Sequence, residues 1–120
     1  MRFVALIFSN PGAFEALSDD ERAAFMSGAD AFHEQFGKSG QVLGGSALAD
    51  PSAAKTVRTR DGETTVTDGP FAEAKEQLAG YYIIECDSIE RAAEIAGHDP
   101  AARVWGVEVR EIVDTSGSGM

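Results

Sequence analysis

The spacing of apolar and polar residues divides this chain into four strands, two helices and one polar arm. Residues 2–8, RFVALIF, hold β-branched and aromatic side chains without a breaker, and they predict a first strand that Asn10-Pro11-Gly12 ends. The period then changes. In SDDERAAFMSGADAFHEQFGKSG, the residues Phe25, Ala29, Phe32 and Phe36 follow at spacings of four, three and four, which predicts a helix with one apolar stripe. Ser18 with Glu21 three positions later has the form of a capping box, and Asp19 and Asp20 fall at the positive end of the helix dipole. Gly37 and Gly40 offer the chain places to stop and turn.

The next segment, QVLGGSALADPS, predicts a short strand broken by Gly44-Gly45. KTVRTR and ETTVTD flank Asp61-Gly62, a strong two-residue hairpin signal. This hairpin is polar on both faces, with Val57 and Val66 as its apolar anchors, so it reads as an exposed arm or sheet edge. Asp68-Gly69-Pro70-Phe71 follows. Gly69 tolerates the backbone demand before proline, and Pro70 suits the first position of a short helical turn running from Phe71 to Lys75. LAGYYIIEC predicts the next major strand. Asp87-Ser88 opens a second helix whose packing side carries Ile89, Ala92, Ala93 and Ala96, and Gly97-His98-Asp99-Pro100 closes it. VWGVEVREIV completes the set, with Val107 and Val109 alternating against Glu108 and Arg110. This order predicts an α+β, ferredoxin-like βαββαβ sandwich with an inserted polar hairpin. Residues 1–113 are expected to form one domain, and 114–120, a run of small residues, a flexible tail.

Two strands are apolar on both faces. Phe3, Ala5 and Ile7 alternate with Val4, Leu6 and Phe8, and Tyr81 and Ile83 alternate with Tyr82 and Ile84. Helices cover one face of such a sheet, and the other face needs cover too. A second copy packed sheet to sheet supplies it, so the expected assembly is a homodimer of the dimeric α/β barrel kind with an enclosed interior.

Composition narrows the function classes. Twenty acidic against ten basic residues give a formal charge of −10, which repels nucleic acid. The apolar runs are far too short for a membrane span, and MRFVALIFSN reads as a strand rather than a signal peptide. Cys86 is alone, so no internal disulfide forms, and a reducing cytoplasm is the expected compartment. One Cys with the separated His33 and His98 builds no zinc pattern, and the phosphate, dinucleotide and nucleophile-elbow motifs are missing, so no cofactor and no metal is inferred.

The residues that could carry chemistry are few. With about 100° per residue, His33 falls about 70° from the centre of the Phe stripe and Arg22 about 50° from it on the same side. His33 thus lies on the seam between helix and sheet rim, which suits either a titrating cleft residue or a boundary histidine bonded to backbone. Asp68 suits either an Asx-type turn or a carboxylate that orients His33 or acts as a base. Lys75 and Arg22 are the cations that would attract an anionic ligand, unless they are surface partners of nearby acids. Tyr81 and Tyr82 lie on opposite faces, so one of them at most is expected to line a given cavity. Gly69, Pro70 and Phe71 are read as structural. The expected function is acid–base isomerisation or elimination on a small anionic or oxygenated molecule. A noncatalytic ligand-binding or regulatory dimer is the alternative.

TDGPFAEAKEQLAGYYIIE, with DSIERAAEIA and VEVR after it, resembles the YCII-related proteins, in the branch called DGPF-domain proteins. The resemblance covers nearly the whole chain except the tail. It implies a ferredoxin-like fold, a dimeric α/β barrel, and kinship with enzymes that rearrange or cleave small oxygenated ring compounds. It also implies a His–Asp pair in a cleft, which transfers to Asp68 and, as a late first-helix histidine, to His33. Some members are associated with alternative sigma factors, so a bacterial regulatory protein is an implied partner. Glu111 stands where many relatives are expected to carry Pro.

Overall fold

A computed structural model describes residues 1–113 of the chain. The expected tail, 114–120, lies outside the described residues. The main sheet has four antiparallel strands in the order β2-β5-β1-β6: β1 is Arg2–Ser9, β2 Val42–Ala47, β5 Gln77–Glu85 and β6 Gly106–Glu111. With the hairpin set aside, this is the ferredoxin-like order, in which the first and third strands occupy the centre. The hairpin strands, β3 at Lys55–Arg60 and β4 at Glu63–Asp68, form a separate two-stranded sheet. Asp61 and Gly62 both take positive φ, 52° and 79°, as a tight turn of this kind requires.

Helix α2, Asp19–Lys38, begins as the sequence predicts. The Ser18 hydroxyl accepts from the Glu21 N–H at 3.1 Å, and the Glu21 carboxylate accepts from the Ser18 N–H at 2.8 Å. Its stripe packs on the sheet. Phe32 and Phe36 are buried with Phe3, Ala5, Val42, Tyr82 and Ile84, and α3, Ile89–Ala96, adds Ala92 and Ile95 to the same core. Phe3, Ala5 and Ile7 therefore face the helices, as do Tyr82 and Ile84. Val4, Leu6 and Ile83 share the opposite face and remain only half-buried.

Four expectations need correction. Phe71 to Lys75 forms no helical turn; the Gln77 side-chain amide instead donates to the carbonyls of Ala72 and Ala74, both at 3.0 Å. Gly44-Gly45 does not break β2 but carries it through a bulge, with Gly44 at φ 142°. A Cβ at Gly45 would lie 2.1 Å from the Tyr81 carbonyl oxygen, so only glycine admits this close approach. In α3, Ala93 and Ile89 are exposed while Ile95 is buried, because Ala92, Ile95 and Ala96 share one face at spacings of three and four. Finally, His98-Asp99-Pro100 does not simply end that helix. It starts another, α4 at Pro100–Val104, and β6 begins only at Gly106. A short helix at Ala13–Ala16, α1, precedes α2 and was not predicted.

Among the described residues no helix is long and apolar enough to cross a membrane. The Cα radius of gyration is 16.3 Å, against about 14 Å for a compact domain of this length. The arm stands apart from the sandwich, since β3 and β4 pair with each other and with no strand of the main sheet.

Candidate functional site

A cavity of about 800 Å³ opens on the helix side of the sheet. It is walled by the end of β1 and the following turn with α1, by α2 from Phe25 to His33, by β2 with the segment up to Pro51, and by the first half of β5. Asp99 and Trp105 close it from the α4 side. The walls follow from local chemistry. The α2 stripe turns Phe25 inward, where it stacks at 4.9 Å on Trp105 and meets Phe14 edge-on at 6.0 Å. Gly44 and Gly45 add no side chains to the β2 part of the wall, and at Gly45 the main chain of β5 packs directly against that of β2.

The polar end of the cavity holds Tyr82, Asp99 and His33. Tyr82 is 1% exposed, and its hydroxyl is a buried polar group with no hydrogen-bond partner. Such a group costs free energy in the empty protein and is rare in native cores. Burial, then the neighbouring Asp99 charge, and last a side-chain contact with that same carboxylate whose geometry falls short of a full hydrogen bond, push the Tyr82 phenol well above the usual tyrosine range, so it stays protonated and can donate a hydrogen bond. Asp99 is 4% exposed and caps α4, accepting from the Ala101 N–H at 3.0 Å. The His33 ring meets Tyr82 edge-on, centroids 5.8 Å apart, on an exposed part of the helix.

The other predicted residues are distributed differently. Tyr81 and Tyr82 both border the cavity, although their side chains leave β5 on opposite faces. Asp68 does not border it: the side chain is solvent-exposed and pairs with Lys55, its cross-strand neighbour in the arm. Within one chain the fold therefore does not bring Asp68 into the cavity that His33 lines. Arg22 donates to the Glu15 carbonyl at 2.9 Å and pairs with Asp19, tying α1 to the start of α2 rather than facing the cavity. Lys75 is exposed on the loop before β5 and is not part of the lining. Gly69 takes φ 96° and is pinned by its N–H to the Ala54 carbonyl at 2.8 Å and by the Thr56 hydroxyl on its own carbonyl at 2.8 Å. Pro70 is half-buried beside it, and Phe71 is exposed with the Arg58 guanidinium 4.5 Å over its ring.

Asp99, Phe14 and Trp105 line the cavity and are not among the site residues singled out from the sequence. Asp followed by Pro is a recognisable helix-start pair, and that signal could have placed Asp99 at an N-cap. Its burial beside Tyr82 depends on how α4 docks, which no local pattern carries.

Comparison with known proteins agrees with this architecture. The family model described as YCII-related domain matches residues 1–116. An uncharacterised protein of Rhizobium meliloti (strain 1021) is 35% identical over 96 residues, covering 80% of this chain and 77% of that protein. Among solved structures, the 5-chloro-2-hydroxyhydroquinone dehydrochlorinase (TftG) of Burkholderia phenoliruptrix AC1100, in complex with 2,5-dihydroxybenzoquinone, superposes with a TM-score of 0.57. It covers 98% of each chain at 13% identity, a likeness of fold. With its whole described length matched, the chain belongs to the YCII-related domain family.

Proposed function

We propose that this protein binds a small oxygenated ring compound in the cavity between α2 and the sheet and performs acid–base chemistry on it, as an isomerase or lyase. One observation carries the reading: the buried Tyr82 hydroxyl, near Asp99 but without a well-formed hydrogen bond, in the wall of a cavity of about 800 Å³. A ligand oxygen would complete its hydrogen bonding. Because the phenol is held protonated, Tyr82 serves as donor to that oxygen and not as base. His33, at the rim, is the group to take and return the proton, the task an imidazole performs near neutral pH. Phe14, Phe25 and Trp105, set edge-on and tilted to one another, supply an apolar aromatic wall for the ring. The dehydrochlorinase of similar fold acts on a hydroxylated ring and holds a dihydroxybenzoquinone. That analogy of fold supports the ligand class.

The assembly we propose is a homodimer. Val4, Leu6 and Ile83 make a half-buried apolar row on the face away from the helices, and a second copy of the sheet is the cover it fits. Sedimentation at micromolar concentration is expected to find two chains per particle, and a single chain would end this reading. Asp68 can take part in the reaction only through the arm of that second copy, since it lies outside the cavity of its own chain. A reducing cytoplasm is the compartment that the lone Cys86 fits.

The test is a turnover screen over hydroxylated and quinoid ring compounds. His33→Ala is expected to lower turnover about tenfold or more, the small end of the range for a lost acid–base group. Asp68→Asn does the same only if the partner's arm enters the site. Full turnover in His33→Ala removes its role. A second reading is favoured by the exposed Val57, Val66 and Phe71 on the arm: a noncatalytic module that takes a regulatory protein there. It is the reading that stands if the screen yields ligands but no turnover.

A further inference from the structure

We infer that the cavity selects uncharged or positively charged ring compounds, an aminated ring above all, and turns anionic ones away. The inference rests on the reading of the cavity as a ring site and adds its charge preference. Four carboxylates border the cavity, Glu15, Asp30, Asp50 and Asp99, and no Lys or Arg does so among the described residues. Arg22 and Lys75, the cations that would have drawn an anion, are engaged or placed elsewhere. His33 is the one basic side chain in the wall.

The carboxylates are not spare surface charge gathered at one point. Asp99 is buried near Tyr82, and Asp50, in the segment after β2, accepts from the Ser52 N–H at 3.0 Å. That bond holds the Asp50 carboxyl below the usual range, so it is ionised at neutral pH. Glu15 and Asp30 stand on α1 and α2. No three metal-ligating side chains cluster among the described residues, so the acids are spread around the cavity instead of converging on an ion. A second feature points to a ligand: Tyr82, 1% exposed, lies beside Asp99 with a hydroxyl that makes no well-formed hydrogen bond in this same wall, and a neutral phenol can donate to a ligand oxygen or accept from a ligand ammonium. The aromatic wall acts in the same sense as the acids. Ring faces attract cations, and Phe25 and Trp105 share the lining with Asp30 and Asp99. A cavity with negative walls concentrates cations and depletes anions.

The probes are benzylamine, benzyl alcohol and benzoate, one ring with three charges, titrated into the full-length protein at pH 7 and low salt. Binding is read by calorimetry and by the His33 ring resonances. Benzylamine is expected to bind tightest and benzoate weakest, with about a tenfold or larger gap between them. Raising salt to about 0.5 M should narrow the gap, because the rim acids are open to screening. The double substitution Glu15→Gln and Asp30→Asn, two exposed positions, should narrow it as well without lowering thermal stability. Benzoate binding as tightly as benzyl alcohol overturns the charge preference and leaves the ring site standing. Failure of all three probes to bind overturns the ring site, and the charge preference with it.

Discussion

Phe32→Ala is expected to cost the fold about 3–5 kcal/mol, the usual range for deleting a buried Phe side chain. Phe32 is 3% exposed and stands where α2 meets the sheet, touching Phe36 at 5.2 Å and Tyr82 at 5.3 Å between ring centroids. No side chain is free to refill the space. Phe36 is held in its own packing, with the His98 ring 5.5 Å away, and Tyr82 is fixed in the central part of β5. Urea denaturation measures the effect: the midpoint should fall while the slope stays constant, since the folded surface changes little. A loss below about 1 kcal/mol would mean that the helix does not dock on the sheet through this residue.

Tyr82→Phe should move stability and binding in opposite directions. Removing a buried hydroxyl that has no partner relieves a cost of about 1–3 kcal/mol, so the variant is expected to be more stable than the natural chain. Ligand affinity should fall, because the atom removed is the proposed donor. The pH dependence separates this account from simple repacking. The folded phenol is pushed above its ordinary range, so the folded state keeps a proton that the unfolded state begins to release near pH 10. The stabilisation from the neutral, buried phenol is complete below that pH. It declines at about 1.4 kcal/mol per pH unit as pH rises towards the folded value. The natural chain should therefore lose stability between about pH 10 and 11, while Tyr82→Phe escapes that portion of the loss. Equal or lower stability of the variant at neutral pH would show that the hydroxyl has a partner after all, and an unchanged alkaline slope would show that burial does not raise the phenol.

How much of this was legible beforehand depends on the range of the interaction that decides each feature. The capping box at Ser18 and Glu21, the Phe32–Phe36 stripe and the Asp61-Gly62 turn were all readable, because each is settled within a few residues. The two-faced strands were readable for the same reason. The site was less so. His33 could be placed on the seam from helical geometry alone, and it does line the cavity. Asp99 could not be placed, since its burial depends on α4 packing against α2 and β6. Pairing of Asp68 with Lys55 follows from the hairpin register, which a careful count across the turn would have shown. The missing cations are a different case. Arg22 has the right angle on its helix, but the carbonyls exposed at the end of α1 capture its guanidinium first. The short helix α1 was invisible because Gly12 and Leu17 bracket only four residues, too few for any period to show.

The order of strands also governs how the chain must find its shape. The opening strand, β1, lies in the middle of the main sheet, and both neighbours come from the far half: Phe3 pairs with Ile84 on one side and with Glu111 on the other. Joining such distant segments requires closing long loops before any reward arrives, so folding speed is set by late, nonlocal encounters and not by the quick winding of α2. Until residues 77–111 join in, FVALIF is an unpaired, wholly apolar ribbon, and it is the segment most exposed to wrong partners.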